Sequence, residues 1–467
     1  MNKKKITRAL GAAAMAASVG AALLVATPAN AHTATPITIT IWTFGDVIQP
    51  GMVRAYKKIH PEVTLSLKKS DLDPSMTNLQ ASCSAYVQSN RLGNPPDIAA
   101  VEVSYSGYWR AYPRCFTDLR TLNTSNANSN AKSEVSTSSN IAANLNATDI
   151  KNNYLPWRWE QGVGYNDSVI GIPTDVGGLE VAYRVDLFKK AGLPTNRDQV
   201  GKLWPTWDKF IETGKKYVAK LTAAQKKKNF AFIDDAGSIY TAMLNQGTAK
   251  YYENNGTDAG KLVYKTNPAI KKAWDATVKA MDSGISSKTA QFTADWPVGM
   301  NNGKFAVILS PAWMTEYIKA QAPTTKGKWD IAEIPVGGGN QGGTQLTIPA
   351  GAVNKQEAYD FMTWYLAPAQ QLQMFKKFGL FPSTLASYKD PAVADYKDPF
   401  FNNAPVGKIY GDGMLKLKPI FEGTCQRAID MAFGAGLGRV QAKKQTSAAS
   451  WTATLAALSK DKCLSGN

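Results

Sequence analysis

The chain is 467 residues long and carries 53 Lys and Arg against 36 Asp and Glu, a formal charge of +17; that length predicts two or three domains. Two histidines and four cysteines leave almost no candidates for a Ser-His-Asp or Cys-His catalytic machine, and no ligand set with metal-site spacing. Neither a metal nor another cofactor is therefore expected.

The N-terminus has the plan of a secretory signal peptide cut after Ala31. MNKKKITR is a basic start, ALGAAAMAASVGAALLVA an apolar small-residue stretch, and Ala29-Asn30-Ala31 a cleavage site. No cysteine lies at the cut to carry a lipid, and no later apolar run is long enough to span a bilayer. The expected product is extracytoplasmic, secreted or periplasmic. Removing Lys3, Lys4, Lys5 and Arg8, and no acid, lowers the charge from +17 to +13. The remaining lysines, such as Lys215, Lys216, Lys220 and Lys226–Lys228, come without a nucleic-acid-binding module. They read as a solvated basic surface, and no nucleic-acid partner is expected. All four cysteines, Cys83, Cys115, Cys425 and Cys463, lie in the exported part. Two disulfides are expected, with three possible pairings. Sequence proximity favours Cys83–Cys115 and Cys425–Cys463, loops worth about 3–4 kcal/mol each in the chain-entropy account.

Strand and helix signals then alternate. ITITIW (37–42) predicts a strand, PGMVRAYKKIH a helix stopped before Pro61, and VTLSL (63–67) the next strand. A helix through 75–91 and the apolar strand DIAAV (97–101) follow. This order predicts a parallel sheet covered by helices. The Ser-, Asn- and Thr-rich stretch 121–148 predicts a polar surface insertion. Further strands are predicted at 170–173, 179–184 and 305–310, and helices at 206–219, 237–247 and 268–282. WDIAEIPV (329–336) and TQLTIPAGAV (344–353) flank a glycine run, and the remainder is mostly helical.

That run, PVGGGNQGG (335–343), contains G-x-G-x-x-G at Gly337, Gly339 and Gly342. A dinucleotide site needs a helix directly afterwards to hold the pyrophosphate. Here Thr344-Gln345-Leu346-Thr347-Ile348-Pro349 follows, a strand, and no Lys-Ser/Thr completes a P-loop. The glycines therefore serve either a tight connection or a loop lining a cleft.

The remaining chemistry sits at predicted strand ends. Asp46, Glu102 and Asp175 are carboxylates there, and Trp42, Phe44, Tyr105 and Trp313 are aromatics in the same positions. Ligands of open α/β sheets lie outside such ends. Flat rings for C–H surfaces and carboxylates for hydroxyl groups suit a sugar.

Several segments, in this order and spacing, resemble the carbohydrate-binding proteins of bacterial ABC importers, the group related to maltose-binding protein. They include ITIWTFGD, YKKIHPEVTL, PPDIAAVE, GIPTDVGGLEVAYRVDLFKKAGLP, NNGKFAVILSPAWM, WDIAEIPVGGG and EAYDFMTWYLAPAQQLQMFKKFGLFPST, between residue 37 and beyond 440. The resemblance implies an α/β, two-lobed, type II Venus-flytrap fold with hinge crossings between the lobes. It implies a monomer that binds a mono- or oligosaccharide by hinge closure and hands it to an ABC permease, with no chemistry on the ligand. After the signal peptide 1–31, lobe I is expected over 32–176 plus 312–348, with the insertion 121–148. Lobe II is expected over 177–311 plus 349–467. Trp42, Asp46, Glu102, Tyr105 and Asp175 are expected to face Asp235, Tyr240 and Trp313 across the cleft. Gln341 stands in the glycine run where relatives often carry tryptophan.

Two other readings compete. An exported glycoside hydrolase would use two of Asp46, Glu102, Asp175 and Asp295, set about 5–10 Å apart. A receptor for a non-sugar anion would place Arg or Lys at the strand ends, which hold mainly acids and aromatics instead.

Overall fold

The alternation in ITITIW does what period-two patterning demands: Ile39, Ile41 and Thr43 are buried, while Thr40 and Trp42 point to the opposite face. In a computed structural model, residues 36–89, 94–123, 147–257, 260–417 and 420–465 are described. The expected signal peptide, 1–31, and nearly all of the expected 121–148 insertion lie outside them.

Eleven strands appear in chain order. They are β1 (Ile37–Thr43), β2 (Val63–Lys69), β3 (Ile98–Glu102), β4 (Gly171–Pro173), β5 (Leu179–Arg184), β6 (Ala231–Ile233), the short hairpin β7 (Tyr252–Glu253) and β8 (Lys261–Leu262), β9 (Phe305–Pro311), β10 (Trp329–Ala332) and β11 (Thr344–Thr347). One sheet runs β2-β1-β3-β11-β4 and another β10-β5-β9-β6. The first is parallel through β2, β1 and β3, as the strand order predicted, but β11 enters antiparallel to both β3 and β4.

Each sheet has its own core. In the first, Ile39, Ile41, Ile98, Ile172 and Leu346 pack beneath Tyr359, Phe361, Met362 and Tyr365 of the Lys355–Leu366 helix. In the second, Val307 and Leu309 face Phe188, Trp204, Phe210 and Phe232, while Ile308 faces Met314, Trp329 and Tyr410 on the other side. All seven residues of β9 are buried, as for a strand covered on both faces. Each buried Ile, Leu or Phe contributes about 1.5–3 kcal/mol. Both cysteine pairs favoured by proximity are joined, with Cα separations of 5.2 and 5.7 Å.

The chain passes between the sheets after β4, again after β10, and a third time through the Pro368–Phe378 helix, whose Met374 packs in the first core and Phe375 in the second. The expected lobe boundaries need correction on two counts. Residues 312–332 stay with the second sheet, because β10 takes the open edge of β5. Residues 355–366 pack on the first sheet rather than the second. Both follow from neighbours in sequence staying neighbours in space; two short buried strands do not themselves reveal on which side a crossing falls.

The glycine run is the second crossing. Gly337, Gly338, Gly339, Gly342 and Gly343 all have positive φ, from 74° to 109°, conformations closed to most side chains. The run lies against the first crossing, with Gln341 N–H donating to Gly177 O at 2.7 Å and Leu179 N–H to Gly339 O at 3.0 Å. A Cβ on Gly177 would sit 1.9 Å from Gln341 O. Two hinge segments thus share one small ladder, which only a bare backbone permits.

Candidate functional site

Strand ends and crossings together surround a cleft of about 1820 Å³. Of the residues expected there, Asp46, Glu102, Asp175, Asp235, Tyr240, Trp313 and Gln341 line it. Trp42 and Tyr105 do not. Trp42 turns to the outer face of the sheet because Ile41 and Thr43 take the inner one, and Lys68 Nζ sits 4.9 Å above its ring. Tyr105 instead donates its hydroxyl to Asp73 Oδ1 at 2.7 Å. Asp295, at the start of the Asp295–Asn302 helix, is not among the residues that line the cleft.

The wall built by the first sheet sets carboxylates held by hydrogen bonds beside Phe44 and Val47. Asp175, in the first crossing, accepts from Thr344 N–H at 3.1 Å and from the Thr174 hydroxyl at 2.5 Å. The fully buried Arg158 lies behind it, donating through Nε to Asp175 O at 3.0 Å and through Nη2 to Thr344 O at 2.8 Å. Glu102 caps the turn Val103–Tyr105, accepting from Ser104 N–H at 2.8 Å and from the Ser104 hydroxyl. Burial pushes its carboxyl up from the ordinary range. Asp46 is exposed and pairs with Lys69 at 2.8 Å.

The wall built by the second sheet carries a cluster of rings beside polar groups such as Asp235, Gln291 and Glu316. Trp313 follows β9 and donates its indole N–H to Gln341 O at 2.9 Å, so the glycine crossing fixes the ring's angle. Phe292 stacks near it, centroids 6.1 Å apart at 24°. Tyr317 meets Phe292 edge-on at 5.4 Å and stacks on the buried Trp296 at 5.2 Å. Phe292 is 55% exposed and held at φ 65°, a large apolar face turned toward the cleft. Asp235 accepts from Gly237 N–H and from Gln441 Nε2 at 2.7 and 2.8 Å. Its neighbour Asp234 is buried beneath Gln291 and Trp296, and burial pushes its carboxyl up to about 7. Tyr240 is buried, its hydroxyl 3.1 Å from that of Tyr251.

A third contribution comes from the segment before the Gln426–Gln441 helix. Phe421 stacks on Tyr165, and Glu422 O accepts from the Tyr165 hydroxyl at 3.1 Å. Gly423 approaches so closely that a Cβ on Gly107 would meet its carbonyl oxygen at 2.2 Å. Arg427 then donates to both oxygens of Asp73, at 2.8 and 2.9 Å, with its guanidinium 5.8 Å from the Tyr105 ring. This contact joins the Leu72–Ser89 helix, packed on β3, to the Gln426–Gln441 helix, packed with Tyr240 and Trp274. Glu422 lines the cleft, and burial pushes its carboxyl up to about 8 despite nearby Lys250. Lys250 itself pairs with Asp430 at 2.8 Å. Phe292, Glu422, Arg427 and Asp430 escape sequence reasoning because none lies at a strand end or on a periodic face.

A model of the bacterial extracellular solute-binding proteins matches residues 52–402. The lactose-binding protein of Rhizobium radiobacter is 24% identical over 444 residues, covering 92% of this chain and 93% of that protein. The arabinooligosaccharide-binding protein of Bacillus subtilis is 24% identical over 55% of this chain and 59% of its own length. Among solved structures, an extracellular solute-binding protein family 1 structure is 32% identical with a TM-score of 0.73, covering 90% of this chain and 98% of that one. The ABC-transporter-associated binding protein of B. animalis subsp. lactis, in complex with β-1,6-galactobiose, has a TM-score of 0.71 at 19% identity, over 91% and 97%. By family, then, this chain is one of the bacterial extracellular solute-binding proteins.

Proposed function

We propose that the protein is a carbohydrate receptor of an ABC importer, capturing a sugar between two lobes that close at the hinge and releasing it unaltered to a membrane permease. One observation carries the reading: a cleft whose one wall offers pinned carboxylates, Glu102 and Asp175, and whose other offers the exposed ring faces of Phe292 and Trp313. A pyranose has that duality, hydroxyls at its rim and C–H groups on its faces. The cleft's 1820 Å³ exceeds the roughly 300–1,000 Å³ of ordinary small-molecule pockets, which favours an oligosaccharide. Relatives that bind lactose, arabino-oligosaccharides and β-1,6-galactobiose support the same class.

Closure requires ligand contacts on both walls, since a ligand shifts an equilibrium only by its differential affinity for the two states. The lobes in this reading are the β1–β4 and β11 region with the 355–366 helix, and the β5–β10 region with the chain beyond 379. They rotate about the residues joining β4 to β5, β10 to β11, and the Pro368–Phe378 helix. The exported, monomeric state belongs to this proposal, as does the absence of catalysis.

A thermal-shift screen against galactosides, arabinosides and glucosides of one to four units tests it. A bound sugar at about 100 times its dissociation constant adds roughly 2.7 kcal/mol of stability, and the same sugar is expected back intact after overnight incubation. No shift with any glycan sinks the receptor reading. Released reducing ends would turn the carboxylates into catalysts.

A further inference from the structure

Lys215, Lys216, Lys220, Lys226, Lys227 and Lys228 fall on two consecutive helices beside the second sheet. The first two lie on the helix Trp207–Ala219, Lys220 on the turn after it, and the others on and just beyond the helix Ala223–Lys227. Only Lys220, Leu221 and Thr222 separate the two helices, and a reciprocal capping box between Thr222 and Gln225 starts the second one. All six side chains are exposed. Residues 213–233 contain no acid, and among the described residues none of the six enters an ion pair. The nearby carboxylates are already committed, Glu212 to Lys209 at 2.8 Å and Asp208 to Lys279. Lys189 and Lys190 extend the exposed positive region on the neighbouring helix, where Phe188 packs against Tyr217.

Stability does not account for such an arrangement. Elsewhere this chain pairs its surface lysines at i,i+4, as in Lys271–Asp275 and Lys408–Asp412, whereas Lys216 and Lys220 place like charges at that spacing, which is unfavourable. The helix C-termini favour positive charge, which accounts for Lys216, Lys226 and Lys227 in the last turns but not for the lack of any acid over 213–233. None of the six lines the cleft, so the patch is not a ligand subsite either.

We propose that this surface is an electrostatic docking face for an anionic phospholipid membrane. The charge is complementary, the lysines stand on long flexible stems, and no large apolar residue of 213–233 is among the strongly exposed ones, so the contact is adsorption without insertion. Each lysine near an anionic bilayer adds about a fivefold preference, and the sum is screened once the Debye length shrinks to about 3 Å near 1 M salt. The inference does not depend on which ligand the cleft takes.

Co-sedimentation of the chain lacking residues 1–31 with vesicles tests it, using phosphatidylcholine alone and phosphatidylcholine with about 30% phosphatidylglycerol. The wild type is expected to sediment with the anionic vesicles only, and to be released by salt. Replacing all six lysines by glutamine is expected to lower partitioning at least about tenfold without lowering the melting temperature, since like-charge repulsion is relieved. The six Lys→Arg variant is expected to keep it, and so guards against a folding effect. Equal sedimentation with neutral vesicles, or undiminished binding by the glutamine variant, overturns the proposal. So does binding to soluble poly(glycerol phosphate) without binding to vesicles, which would assign the patch to a wall polymer instead.

Discussion

The two walls of the cleft are made by different physics. On the first-sheet side, Asp175 and Glu102 are aimed by short-range hydrogen bonds from Thr344, Thr174 and Ser104, so their oxygens keep only some of their acceptor capacity for a ligand. On the second-sheet side, Trp313, Phe292 and Tyr317 are aimed by ring contacts and a single indole hydrogen bond to the glycine crossing. Directional acceptors define which hydroxyls fit, whereas ring faces supply area with little directional demand. In the proposed function, specificity resides mainly on one wall and binding energy mainly on the other, and the glycine crossing couples them because it holds Trp313 while its strand continuation donates to Asp175.

Four experiments would break or sharpen that contrast. The largest expected effect is from Trp313→Ala, which removes the stacking face: the affinity for the cognate sugar should fall by about 2–3 kcal/mol, roughly 30- to 150-fold. Calorimetric titration measures it, and unchanged affinity would move the ligand off this wall. Next, Asp175→Ala should cost about 1.5–3 kcal/mol, since it removes a charged acceptor and leaves Thr344 N–H without its partner. If specificity does reside here, this variant also narrows the gap between the preferred sugar and its epimers, which Trp313→Ala should leave intact. Competition assays with paired epimers separate the two.

Arg427→Gln tests the contact between the Leu72–Ser89 and Gln426–Gln441 helices. Arg427 and Asp73 are 33% and 48% exposed at their side chains, so the pair is worth only about 1 kcal/mol, or some fivefold in affinity if the contact helps hold the cleft shut. Small-angle scattering of the unliganded variant should show a larger radius of gyration. An unchanged profile would make the pair a static tie.

The fourth experiment concerns protons and stability rather than affinity. Glu422 ionises near 8 in the folded chain against 4.5 when exposed, so between those values the folded state holds a proton that the unfolded state has released. Its contribution to stability is full below pH 4.5, declines as pH rises, and is gone above 8. Asp234, raised from 3.8 to about 7, acts with the same sign. The melting temperature of Glu422→Gln relative to wild type should therefore rise by a few degrees between pH 5 and 8. A pH-independent difference would mean that Glu422 is ionised throughout.

The sequence alone carried the elements, the order of alternation, the cysteine pairing and the rejection of a nucleotide loop, because each is a local matter of periodicity, proximity or the residue following a glycine. Asp46, Glu102 and Asp175 were legible as cleft residues by the same token, since a strand end is recognisable from its own neighbours. Only the tertiary structure could decide that Trp42 faces outward, which depends on which side of the sheet the Lys355–Leu366 helix covers. It alone could bring Phe292 beside Trp313 and carry Glu422 and Arg427 from near the C-terminus to Tyr165 and Asp73. It also decided the side of each crossing, because β10 and β11 are equally short and equally buried and differ in which sheet each one joins. Contacts between residues more than 250 positions apart leave no periodic trace in a chain, since they are selected by the packing of whole faces rather than by any local preference.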